Sequence, residues 1–213
     1  MWYNIRKADE GVAKMEKTPK FYEDAEQLKR WAQQYRDFKA TEWDSLPDIE
    51  LYMDQITGYL NRQLRTQSRP EKDDGMVLTS SMINNYVKSG LITRPSQKRY
   101  DREQLAQLYM LCSMKQILAI PDAAALIRHM TSDGHTVKEV YDAFVRDQRE
   151  INAGVADVLA QIDAVSSEYD LLKVAAGLVL NAAAERLAAE RIIALFRGHD
   201  AALSAESAEP NEK

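Results

Sequence analysis

The sequence has a single cysteine and lacks the motifs of the common enzyme classes. Cys112 is the only cysteine among 213 residues, so an intrachain disulfide or an all-cysteine metal site is impossible. Its apolar surroundings predict a buried thiol rather than a nucleophile. His129, His135 and His199 have no recognisable set of metal ligands beside them. The chain has no glycine-rich phosphate loop, no His-Glu-x-x-His and no Gly-x-Ser-x-Gly, so we expect no enzyme activity, cofactor or metal.

Long apolar segments are also missing. The first residues carry charge instead of an apolar signal core. The longest uncharged run in the C-terminal half, residues 174–184, covers eleven residues, whereas a bilayer-spanning helix needs about 20. We therefore expect a cytoplasmic protein without a membrane segment.

Glycine and proline are scarce, with eight and six copies, while hydrophobic residues make up 45% of the chain. Abundant Ala, Leu, Gln and Glu favour helices. The composition predicts an all-α fold with at most a tiny β-wing.

Positive charge is concentrated in one segment. The chain carries 28 basic and 33 acidic residues, a net charge of −5, so it is not a general polycation. Residues 76–102 nevertheless hold five basic residues against one acidic residue. Any contact with nucleic acid is therefore expected to be local to this segment.

The same segment carries the signals of two short helices around a turn. Thr79 is a good N-cap, and Gly90 ends the helix that Thr79 begins. Residues 93–98 contain a proline and no apolar period, which predicts a turn or small wing. Asp101 caps the next helix, with Gln104 as its reciprocal partner.

This order of elements suits a DNA reader, which needs a short polar helix and cations beside it to hold phosphates. Asparagine can pair with adenine through two hydrogen bonds, and serine can donate or accept. The predicted base-reading residues are Ser80, Ser81, Asn84 and Asn85. The predicted phosphate-binding residues are Lys88, Arg94, Lys98, Arg99 and Arg102.

The segment resembles the N-terminal domain of MerR-type transcriptional regulators, through Thr79, Tyr86, Gly90-Leu91-Ile92, Tyr100, Asp101 and Leu105. A narrower resemblance, over about residues 43–130, is to a bacterial family, domain of unknown function family 1836, usually described as MerR-like. Its matching residues are the run 46–55, Met82-Ile83-Asn84-Asn85-Tyr86 and Lys98-Arg99-Tyr100. The resemblance implies a winged helix-turn-helix DNA-binding fold.

The chain departs from the MerR pattern in two places. Asn84-Asn85 stands where those regulators usually have Arg-Tyr, which implies different base-reading chemistry. An insert at residues 65–77 lengthens the turn between the two reading helices, so the sequence does not predict the angle between them.

The remaining pattern is helical. Apolar stripes predict a helix from Asp24 and another that begins at Ser45-Leu46-Pro47. Thr136 and Glu139 form a capping box before one long helix, and a second runs from about Glu168 to a stop at Gly198. The second is apolar around much of its circumference, which predicts a homodimer interface. Its expected interface residues are Leu171, Val174, Leu178, Val179, Leu187, Ile192 and Phe196.

We therefore predict a loose arm at residues 1–20, a winged helix-turn-helix domain with an N-terminal helix at 21–130, an antiparallel helical hairpin for dimerisation at 131–200, and a disordered acidic tail at 201–213. The favoured hypothesis is a dimeric transcriptional regulator that reads the major groove of double-stranded DNA with helix 79–89 and holds phosphates with wing 93–100. The alternative is a helical adaptor that does not bind DNA. Burial of Asn84, Lys98 and Arg99 against the chain's own helices would favour that alternative.

Overall fold

The computed structural model describes residues 19–65, 77–132, 134–161 and 167–206. Residues 1–18, 66–76 and 207–213 lie outside the described part, and with them most of the predicted arm, insert and tail. The described chain is mostly helical with one two-stranded sheet, as the composition predicted. Its elements are α1 (Pro19–Arg36), a 3-10 turn (Trp43–Ser45), β1 (Leu51–Tyr52), α2 (Met53–Leu64), α3 (Ser80–Lys88), β2 (Arg99–Tyr100), α4 (Arg102–Met114), α5 (Ile120–Ser132), α6 (Val137–Ala160) and α7 (Glu168–Glu206).

The chain divides into two compact units. The first contains the described residues up to Lys39 and those of Asp147–Ala183. The second contains Ala40–Arg146 and the described residues from Ala184 onward. Helix α1 falls in the first unit, and both long helices contribute residues to both units.

The first unit has a small apolar cluster. Ala32 of α1 and Leu159 of α6 are buried, and Leu28, Val155 and Leu171 pack against them. Leu171 therefore packs against residues of its own chain, although the sequence predicted that it lies in a subunit interface.

The second unit contains the larger core. Its fully buried side chains include Ile56, Leu60, Leu64, Leu78, Ile83, Leu105, Leu108, Tyr109, Leu111, Cys112 and Tyr141. Tyr109 contacts Tyr141 and Phe144 edge to face, with ring centroids 5.8 and 6.3 Å apart. Offset and T-shaped ring pairs of this kind stabilise a core beyond the area they bury.

The predicted helix start at Ser45-Leu46-Pro47 is wrong. Helix α2 begins at Met53, after β1 has paired antiparallel with β2, with Leu51 opposite Tyr100. Ile49, expected on the apolar stripe, is 66% exposed. The strand pairing competes with a longer helix, since it buries both Leu51 and Tyr100.

The predicted stop at Gly198 is also wrong, because α7 continues to Glu206 and so enters the segment expected to be disordered. Most helix starts are confirmed. Thr79 Oγ1 accepts a hydrogen bond from the Met82 amide at 3.2 Å. Both predicted capping boxes are present: one joins Asp101 and Gln104, and the other joins Thr136 and Glu139.

Candidate nucleic-acid interface

Helix α3 has one buried and one exposed face. Ile83 and Tyr86 are buried in the core of the second unit. The opposite face is exposed and carries all four predicted base-reading residues, Ser80, Ser81, Asn84 and Asn85, together with Lys88. The apolar spacing of this nine-residue helix therefore separates a packing face from a polar one.

A buried asparagine holds the entry to α3. Asn61, on the core side of α2, accepts a hydrogen bond from the Leu78 amide at 2.9 Å through Oδ1. Its Nδ2 donates to the carbonyls of Leu78 at 2.7 Å and Thr57 at 2.8 Å. Lys115, which follows the last residue of α4, also donates to the Val77 carbonyl at 2.6 Å. The chain that leaves the 66–76 segment is thus fixed to α2 and α4 just before α3 begins.

The exit from α3 is a left-handed glycine turn. Gly90 has φ +70°, a conformation that glycine adopts without the penalty of a side chain. The Leu91 amide donates to the Tyr86 carbonyl at 2.9 Å. Ile92 is then buried, so the chain is anchored on both sides of the turn.

The predicted wing is a tight turn. Gln97 and Lys98 have φ of 48° and 64°, and the Arg99 amide donates to the Ser96 carbonyl at 2.8 Å. Positive φ at both central residues is typical of a type I′ turn, which matches the twist of the strands it joins. Lys98 therefore lies at the exposed tip.

The opposite end of this loop is held by Gln104. Its Nε2 donates to both the carbonyl and the Oγ1 of Thr93 at 3.0 Å. Gln104 is buried and also completes the Asp101 capping box, so one side chain ties the loop to the start of α4.

The five predicted phosphate-binding cations fall into two groups. Lys88, Arg94 and Lys98 are exposed, and none of them is in an ion pair with another described residue. Arg99 is different, because its Nε lies 3.1 Å from Glu50 Oε2 and its side chain is 39% exposed. Arg102 donates to the Pro47 carbonyl at 3.3 Å and lies 5.8 Å from the Trp43 ring centroid. Arg99 and Arg102 therefore hold the 43–50 segment against β2 and the start of α4.

Sequence reasoning missed Asn61, Lys115 and Glu50. Asn61 offered a usable signal, since it is an amide on the core face of α2 beside Leu60 and Leu64. A polar side chain in such a position must find partners or lose stability. The partners of Lys115 and Glu50 lie 38 and 49 positions away, and no local pattern identifies them.

Cys112 is confirmed as a buried apolar residue. It is fully buried, and burial raises the pKa of its thiol to about 11. The thiol is therefore neutral at physiological pH and is a poor nucleophile. Burial also raises the pKa of Tyr86, a buried residue of α3.

In the described chain, no cluster of three or more His, Cys, Asp or Glu side chains is placed to hold a metal ion. None of its helices combines the length and apolar character that crossing a bilayer requires. His129 and His135 lie instead around an apolar cavity of the second unit.

Residues 41–144 match a family model described as Domain of unknown function (DUF1836). The match confirms the narrower of the two resemblances over this part of the chain. It contains the candidate interface and nearly coincides with the N-terminal segment of the second unit. Searches of curated proteins and of solved structures found no match.

Proposed function

We propose that the protein is a dimeric, sequence-specific DNA-binding regulator of transcription with a MerR-like winged helix-turn-helix. Helix α3 is the recognition helix, α2 is its scaffold, and the turn at Gln97 and Lys98 is a minimal wing. The observation that carries the proposal is the exposed polar face of α3, with unpaired cations at its end and in the adjoining loop.

The dimensions of α3 suit a major groove. An α-helix with its side chains is about 10–12 Å across, and the major groove of B-DNA is about 12 Å wide. Asn84 and Asn85 can each make the two-point contact with adenine, while Ser80 and Ser81 lie at the N-terminal end that usually approaches base edges.

The exposed cations supply the phosphate contacts. Lys88 lies in the last turn of α3, Arg94 in the loop after it and Lys98 at the tip of the turn. The acidic remainder of the chain repels DNA, which favours contact through this patch alone.

Exposed apolar side chains of α7 support a homodimer. All residues from 179 to 188 are exposed, including Val179, Leu180 and Leu187. Val174 and Leu178 are half-buried. Large apolar side chains exposed along a helix are typical of a protein contact, and a two-fold dimer would present two copies of α3 to a palindromic site.

A selection of random duplex oligonucleotides by the purified protein, read at two salt concentrations, tests the proposal. We expect enrichment of a palindrome whose half-site spacing reports the dimer geometry. Recovery of no enriched sequence at either salt concentration would contradict the proposal.

The exposed surface at 179–188 also favours the alternative of a helical adaptor. In that case the protein would self-associate or bind a partner helix in the absence of DNA, and the selection would yield no motif. The exposed position of Asn84 and Lys98 favours the DNA-binding function over this alternative.

A further inference from the structure

The second unit contains an apolar cavity that the DNA-binding proposal does not use. Its volume is about 500 Å³, within the range of roughly 300–1,000 Å³ that small-molecule sites occupy. The wall comes from α5, α6 and the C-terminal part of α7. Its apolar residues are Leu126, Met130, Val140, Ala143, Ile192, Ile193 and Phe196.

Two features favour an aromatic occupant. The rings of His129 and Phe196 lie 5.5 Å apart at 45° and form one wall. Met130 contributes a flexible thioether, which makes favourable contacts with aromatic rings. An ion pair between Arg197 and Asp122 joins α7 to α5 beside this wall.

The polar groups of the cavity are few, and one of them is anionic. Glu139 Oε2 accepts hydrogen bonds from the amide and the Oγ1 of Thr136. These bonds lower the pKa of Glu139, so its carboxylate is ionised at neutral pH. Glu139 is exposed and lines the cavity, where it can accept a hydrogen bond from an N–H group.

We propose that this cavity is a binding site for a small aromatic amine. The ring system packs among the apolar side chains and the ring of Phe196, and the amine donates to the Glu139 carboxylate. The inference depends on the geometry of the second unit alone and does not require DNA binding.

Titration of the full-length protein with N-phenyl-1-naphthylamine tests the proposal, because the fluorescence of this probe rises in apolar surroundings. We expect a saturable increase. Ala143→Phe and, independently, Leu126→Trp fill the cavity and should weaken binding by at least about tenfold. Ala153→Phe makes the same change at an exposed position of α6 and should bind as the native protein does.

The amine contact has its own test. Glu139→Gln keeps a side chain that can complete the Thr136 capping box but removes the charge. It should weaken binding of the probe about tenfold, the usual effect of a lost charge-assisted hydrogen bond. The affinity of the hydrocarbon 1-phenylnaphthalene, measured by its displacement of the probe, should not fall in this variant.

Folding of each variant is checked by its thermal unfolding transition, so that loss of binding is separable from loss of structure. Unsaturable fluorescence, or native affinity in folded Ala143→Phe or Leu126→Trp, would overturn the cavity assignment. Native affinity in Glu139→Gln would overturn the assignment of an amine.

Discussion

The cations of the candidate interface differ in whether a carboxylate of the protein already pairs with them. Glu50 lies against the Arg99 guanidinium and offsets its charge, while Lys88 and Arg94 extend into solvent. A phosphate that approaches Arg99 would have to displace Glu50 first. Two residues that look alike in the sequence therefore differ in their expected contribution to DNA affinity.

We expect Lys88→Gln and Arg94→Gln each to weaken binding to every duplex and to reduce the slope of log affinity against log salt concentration by about one. Arg99→Gln should change the slope much less. Lys39→Gln removes an exposed charge from the first unit and serves as the control. Fluorescence anisotropy titrations at several salt concentrations provide the measurement, and equal slopes for all four variants would refute the assignment.

The Cys112 thiol predicts a specific alkaline instability. Its pKa is about 11 in the folded protein and about 9 when unfolded, so the unfolded chain releases the proton first as pH rises. The contribution of the Cys112 thiol to the free energy of unfolding is constant below about pH 9. Between pH 9 and 11 the native protein should lose about 2–3 kcal/mol more unfolding free energy than Cys112→Ala does. Urea unfolding of both proteins at pH 8 and 11 measures this, and a pH-independent difference would contradict it.

Among the elements, helix α3 is positioned in part by Asn61 of α2, which holds Leu78 at the entry to the helix. Asn61→Leu keeps similar volume but leaves the amide and carbonyl of Leu78 without their partner. Each unsatisfied buried group costs about 1–3 kcal/mol, so we expect a loss of roughly 2–4 kcal/mol in urea unfolding.

Asn85→Ala is the matched control for this change, since its side chain is exposed, and it should stay within about 0.5 kcal/mol of the native protein. A similar small effect for Asn61→Leu would show that the hydrogen bonds of Asn61 do not hold the α2–α3 connection.

At two glycines of the second unit, we expect substitution by alanine to change stability in opposite directions. Gly58 lies inside α2 with open space around its missing Cβ, so Gly58→Ala should stabilise by about 0.5–1 kcal/mol. Gly90 has φ +70°, so Gly90→Ala should destabilise by about 1–2 kcal/mol despite equally open space. Thermal unfolding of both variants tests this, and a common sign would contradict the backbone argument.

The helix caps and the glycine turn could be predicted from neighbouring residues. The bounds of α2 and α7 could not, because contacts between distant parts of the chain determine them. Thr79, Gly90 and the Asp101 capping box involve residues three or four positions apart, and the sequence predicted all of them. The start of α2 did not follow from its apolar stripe, because pairing of β1 with a strand 48 positions later outweighs helix propensity. The continuation of α7 through Gly198 likewise shows that one glycine does not end a long helix.

Across the whole molecule, the charge distribution limits where the proposed DNA contact can lie. The chain carries −5 overall, while the segment from Met76 to Arg102 is basic. The sequence located this segment and the exposed face of α3 correctly. It did not distinguish the paired arginines from the exposed cations, since the ion pair with Glu50 and the contact with Trp43 arise only in the folded chain.

We expect the exposed face of α3 and its neighbouring cations to bind duplex DNA. The most direct measurement is a titration of a labelled palindromic duplex, taken from the selection, with native protein and with the combined variant Lys88→Gln, Arg94→Gln and Lys98→Gly. Glycine at position 98 removes the charge and suits the positive φ there. We predict saturable binding at about 50 mM salt that weakens by about 200 mM, and a salt slope lower by about three units per subunit in the variant. Absence of binding by the folded native protein at low salt, or an unchanged slope in the variant, would contradict the account.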